Sequence, residues 1–190
     1  MLKAKNLLFL LALLVVPFIS GCDDDDPEPE NEEETITTVA LTLTPTTAGS
    51  DVVVMTFTDL DADGPLPPAT TQSGDLTANT TYTGAITFSD ASDPTDIEDI
   101  TLEISDEDDE HQVFYQTDAG LNMTFAYNDS DDDNNPIGLL TNVTTGDASS
   151  GNLTVTLRHE PNKTATGVAI DNPAPAGGET DIEVVFGVTF

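Results

Sequence analysis

Positive charge is what this chain most lacks: 4 Lys and Arg stand against 36 Asp and Glu in 190 residues, for a formal charge of −32 and a pI near 4.1. Lys3 and Lys5 lie in an N-terminal leader that holds no acid, so its removal leaves Arg158 and Lys163 against all 36 acids, a formal charge of −34. Such a surface cannot neutralise phosphates by counterion release, which excludes nucleic acid as a direct partner and excludes electrostatic docking on anionic lipid. Metal cations and basic proteins remain compatible with it.

Tryptophan is absent and there is a single cysteine. One Cys in an exported chain cannot close an internal disulfide, and without Trp there is no indole platform for a carbohydrate ring. No Gly-rich phosphate loop and no Gly-x-Ser-x-Gly elbow is present. The stretch His159-Glu160-Pro161-Asn162-Lys163 opens like a zinc-protease helix, but Lys163 stands where the second His belongs and Pro161 breaks a helix interior. Carboxylate pairs are so frequent that none marks a glycosidase site. These absences point away from an enzyme and toward a binding module.

Two features of the N-terminus are positive signals. Lys3 and Lys5 precede an apolar run of ten residues, Leu7 to Val16, too short to cross a hydrocarbon core of ~30 Å as a helix. It reads as a secretory signal ending at Ile19-Ser20-Gly21-Cys22. That ending resembles a bacterial lipobox, which implies cleavage before Cys22, lipidation of Cys22, and a membrane partner reached through the lipid.

Behind it runs Asp23-Asp24-Asp25-Asp26-Pro27-Glu28-Pro29-Glu30-Asn31-Glu32-Glu33-Glu34, with no apolar side chain to bury and charges that repel one another. Residues 22–35 form an acidic disordered tether on this reading, reaching up to ~45 Å at roughly 3.3 Å per residue. An acidic run directly behind a lipidated Cys resembles the export signal of small surface lipoproteins of Bacteroidota, of flavobacterial type. The resemblance implies the outer face of the outer membrane; a plain solvated spacer would leave the domain on the periplasmic face. Thr154-Val155-Thr156-Leu157-Arg158-His159-Glu160-Pro161-Asn162-Lys163 and Gly178-Glu179-Thr180-Asp181-Ile182-Glu183 also resemble segments of such lipoproteins. Some of these are labelled as having a type-one periplasmic-binding fold, which implies small-ligand binding. That fold needs strands and helices alternating over a much longer chain.

From residue 36 the dominant period becomes two, the strand signal. Val39, Leu41 and Leu43 alternate with Thr and Ala; Val53, Met55 and Phe57 do the same, and Tyr82, Ile86 and Phe88 share a parity around Gly84. Leu121 to Tyr127, 137–145, 152–158 and 181–190 repeat the pattern, whereas 111–117, with Val113, Phe114 and Tyr115 consecutive, reads as a strand covered on both faces. Thr, polar and β-branched, suits the wet face of such strands. About eight strands with turn residues between them predict one all-β domain over 36–190, an antiparallel β-sandwich of immunoglobulin or jelly-roll type. A domain of ~155 residues buries ~68–70% of its unfolded surface, enough for a core without metal or disulfide. One short helix near 94–104 is expected, with Asp93 as N-cap, Pro94 at its first position and Ile97, Ile100 and Ile104 on one face.

The loops hold the candidate sites. Asp59, Asp61 and Asp63 alternate ahead of Gly64, the first half of a calcium loop, with Thr70 where the bidentate Glu would stand. Asp129, Asp131 and Asp133 repeat the spacing with Asn134 at the sixth position, where a left-handed backbone is tolerated. Calcium is the ion this spacing suits at either loop; the alternative is that each is an acidic hairpin turn, of the kind that arises readily in so acidic a chain. His111 and His159 each adjoin a Glu, and would suit a transition metal if strands 111–117 and 152–159 were neighbours; otherwise they are strand-end residues. The sequence thus predicts a lipid-anchored, non-enzymatic surface binding or adhesion module, with a periplasmic solute- or metal-binding lipoprotein as the alternative.

Overall fold

The computed structural model describes residues 35–62 and 64–190; the leader, Cys22, the acidic run to Glu34 and Asp63 lie outside the described residues. The period-two segments become nine strands: β1 (Thr38–Pro45), β2 (Val53–Thr58), β3 (Ala69–Gln72), β4 (Thr81–Ser89), β5 (His111–Thr117), β6 (Met123–Tyr127), β7 (Leu140–Thr145), β8 (Ser150–His159) and β9 (Glu179–Thr189). They pair antiparallel in a six-stranded sheet, β3-β2-β1-β4-β7-β6, and a three-stranded sheet, β5-β8-β9. The all-β antiparallel sandwich expected from the alternation is the fold observed.

Val39, Leu41 and Leu43 of β1, Tyr82, Ile86 and Phe88 of β4, Leu153, Val155 and Leu157 of β8, and Val184, Phe186 and Val188 of β9 share one buried cluster. Full burial of each such side chain contributes ~1.5–3 kcal/mol before entropy is charged against it. Gly84 faces inward on β4, where a Cβ would lie 2.4 Å from Thr141 Oγ1 on the paired strand β7. Its absence of a side chain is what lets Thr141 be buried there. On β5 the run His111 to Tyr115 is buried on both faces, as its consecutive apolar residues imply.

Two elements depart from expectation. β3 lies outside every segment whose alternation predicts a strand; its residues Ala69, Thr70, Thr71 and Gln72 are exposed or half-exposed and owe their strand form to pairing with β2 at the sheet edge. The helix, α1, spans Ile100–Asp106 rather than 94–104. Asp93 Oδ1 accepts from the backbone N–H and the hydroxyl of Thr95, and Asp90 and Glu98 bond each other's backbones, so 90–98 closes as a loop. Asp99 is the actual N-cap, accepting from Thr101 N–H; Ile100 and Ile104 are buried one turn apart, while Ile97 is exposed.

The two edges of the small sheet are treated differently. On β5, Val113 N–H donates to Ile137 O and Tyr115 N–H to Ile170 O, each at 2.7 Å, so loops cap that edge. Tyr127 of β6 seals the same side, its hydroxyl donating to Val113 O at 3.0 Å and accepting from Gln112 Nε2 at 3.1 Å. Beside β9, a cleft of about 210 Å³ opens between Met55, Thr70 to Gln72, Phe186 and Gly187. That is below the ~300–1,000 Å³ of most small-molecule pockets. No helix among the described residues is long and apolar enough to cross a membrane.

Candidate functional site

The first acidic loop leaves β2 as a tight turn. Asp59 O accepts from Ala62 N–H at 3.3 Å and Asp61 O from Gly64 N–H at 2.8 Å, while Asp61 Oδ2 accepts from Leu66 N–H at 3.1 Å. Among the described residues of the turn the left-handed one is Ala62, at φ 47°, and not Gly64. Gly64 serves a different need: a Cβ there would lie 2.0 Å from Asp61 Oδ2, so only glycine leaves the carboxylate its place. Asp61 Oδ1 is buried and accepts no hydrogen bond among the described residues. Asp63, the third member of the alternation, lies outside them.

The second loop is built as a structural staple. Asp129 accepts from Gly138 N–H at 2.8 Å and Leu140 N–H at 2.7 Å, which ties the β6–β7 connection together. Asp131 is buried and accepts from Asp133 N–H, Asn135 N–H and Lys163 Nζ. Burial alone would raise its pKa, but the Asn135 amide and the Lys163 ammonium hold the carboxyl below the usual range. Asn134 takes the left-handed conformation expected of it, at φ 64°. Asp133 is exposed. The oxygens of Asp129 and Asp131 are thus engaged by the protein's own donors, and a calcium ion would have to displace them.

The third place was visible in the sequence only as a condition, that strands 111–117 and 152–159 be neighbours. They are: β5 pairs β8 with His111 opposite His159. The two imidazoles stack, centroids 4.8 Å apart and planes 9° from parallel. His111 is buried, with Nδ1 3.1 Å from Glu107 O. His159 Nε2 lies 3.6 Å from Glu110 Oε2, and ligand atoms of Glu110, His159 and Glu160 all fall within 4.8 Å of one another.

Backbone geometry makes that convergence possible. Adjacent strand residues point to opposite faces, so His159 and Glu160 should diverge. Glu160 instead adopts φ 50°, which ends the alternation, and its N–H donates to Glu110 O at 2.7 Å, joining the two strand ends. Gly178, at φ 72°, packs against the same bend; a Cβ there would sit 2.3 Å from His159 O. The left-handed residue is the part no periodicity could reveal, because glutamate gives no sign of it.

The remaining cations are used locally. Lys163 Nζ donates to Asp108 O as well as to Asp131, and Arg158 donates to Gly178 O at 3.4 Å. No protein-family model matches the chain, and neither the curated proteins nor the solved structures give a significant match.

Proposed function

We propose that this protein is a lipid-anchored, non-enzymatic binding module held on the outer face of a bacterial outer membrane, with cationic partners as its binding class. The observation that carries the reading is the burial of Lys163, whose side chain is 4% exposed against Asp131. With Arg158 half-buried as the only other cation of the mature chain, the exterior offers a partner almost nothing but negative charge. A domain of this kind is repelled by anionic headgroups, so lipid at Cys22 supplies the anchor and the acidic run supplies the distance. Calcium belongs to the same proposal at the first loop, supported by the buried Asp61 Oδ1. A second reading, a periplasmic metal-binding lipoprotein, draws on the convergence of Glu110, His159 and Glu160.

Cys22→Ala tests the anchor. The variant is expected in the soluble fraction of broken cells while the parent chain stays with membranes and carries acyl mass. Membrane partitioning unchanged by the substitution, with no acyl mass on the parent, contradicts the proposal.

A further inference from the structure

We infer that Glu110, His159 and Glu160 form a binding site for a first-row divalent transition ion of the zinc class, at the end of the β5–β8 pair. The inference is independent of where the protein is displayed. A tetrahedral ion with bonds of about 2.1 Å holds its ligand atoms about 3.4 Å apart. His159 Nε2 and Glu110 Oε2 stand at 3.6 Å, close to that edge, and the full set within 4.8 Å needs only a small rotation of two exposed glutamates.

The donor set selects the ion. One imidazole nitrogen with two carboxylates suits zinc and its neighbours, whereas calcium takes six to eight oxygens and magnesium an octahedron of them. Three protein ligands leave a fourth position for water or for a side chain from a partner, the open arrangement of a zinc site.

The surroundings hold the ligands in place. His111, buried and stacked on His159, constrains the plane of the ligating ring. Glu160 holds a left-handed conformation that a glutamate rarely adopts, and this brings its carboxylate to the side occupied by His159. Two carboxylates held this near one another repel until a cation joins them. The acidic stretch Asp106 to Glu110 adds attraction for a divalent ion, and Lys163, already matched to Asp131, opposes it little.

The test is calorimetric titration of Zn2+ into the full mature chain with Cys22→Ser as background, so that no thiol competes, at neutral pH and physiological NaCl. One saturable site is expected, and Glu160→Gln, a change at an exposed residue that leaves the core untouched, should weaken it about tenfold or more. His159→Gln should remove it, with retained thermal unfolding confirming a folded variant. Asp61→Ala should leave it unchanged, and Ca2+ in tenfold excess should not displace the zinc. In the parent the His159 ring nitrogen resonances should shift on adding Zn2+ at constant pH, which separates metal from proton binding. Zinc affinity indifferent to Glu160→Gln and Glu110→Gln, displacement by Ca2+, or unmoved His159 resonances would each overturn the inference.

Discussion

Lys163 Nζ lies 3.0 Å from Asp131 Oδ2, with side chains 4% and 1% exposed, so one of the two Lys and Arg residues among the described residues is spent inside the protein. The same ammonium donates to Asp108 O, tying the turn after α1 to the β6–β7 loop and to the segment after β8.

Breaking this pair leaves a buried carboxylate with only the donors of its own turn, the Asp133 and Asn135 backbone N–H groups and Asn135 Nδ2. Lys163→Met should therefore cost about 3–5 kcal/mol in denaturant unfolding at neutral pH. The pH dependence has a definite sign. Asp131 is held below its ordinary pKa, so the unfolded chain takes up the proton first as pH falls. Its stabilisation is present above about pH 4 and is lost as pH drops through the folded value. The penalty of Lys163→Met should accordingly shrink below that range, where Asp131 is neutral. An equal penalty at pH 7 and pH 3 would show that the pair's charge is not what stabilises.

Calcium binding at the first loop should raise thermal stability. An ion that binds only the folded turn adds ~2.7 kcal/mol at a hundredfold excess over Kd, or several degrees at roughly 2–4 °C per kcal/mol. Screening by salt also helps a domain this negative, so the comparison is with NaCl of equal ionic strength. Asp61→Ala should abolish most of the gain. A midpoint in calcium equal to that in chelator with matched salt would reduce the loop to an acidic turn.

How far the sequence could be read depended on where side chains are half-buried. Strands such as β1 and β9 bury one face and leave the other half-buried or exposed, so Val39, Leu41 and Leu43, or Val184, Phe186 and Val188, announce themselves by alternation. β3 buries neither face, and its Ala-Thr-Thr-Gln carries no such signal. Asp93-Pro94 suits a tight turn as well as a helix start, and the bridge between Asp90 and Glu98, a contact no local pattern shows, decides for the turn. The same distinction separates the candidate sites. Alternating aspartates are visible as a pattern, but whether Asp131 faces an ion or Lys163 is a tertiary matter. The pairing of His111 with His159 depends on which strands adjoin, and the convergence of Glu160 with His159 on one left-handed residue.

The acidic run should act as an address. Replacing the acids of 23–34 by Ser and Gly keeps the length of the run and removes its charge. The neutral version is expected to stay lipidated but to lose labelling by a membrane-impermeant reagent on intact cells. Full surface labelling of that version would make the run a spacer and nothing more.

Display at the cell surface is the central claim, and protease treatment of intact cells measures it most directly. The account predicts cleavage in the tether and release of the folded 36–190 domain into the medium, with a soluble periplasmic protein untouched in the same cells. A domain that stays cell-bound and intact until the outer membrane is permeabilised would contradict it.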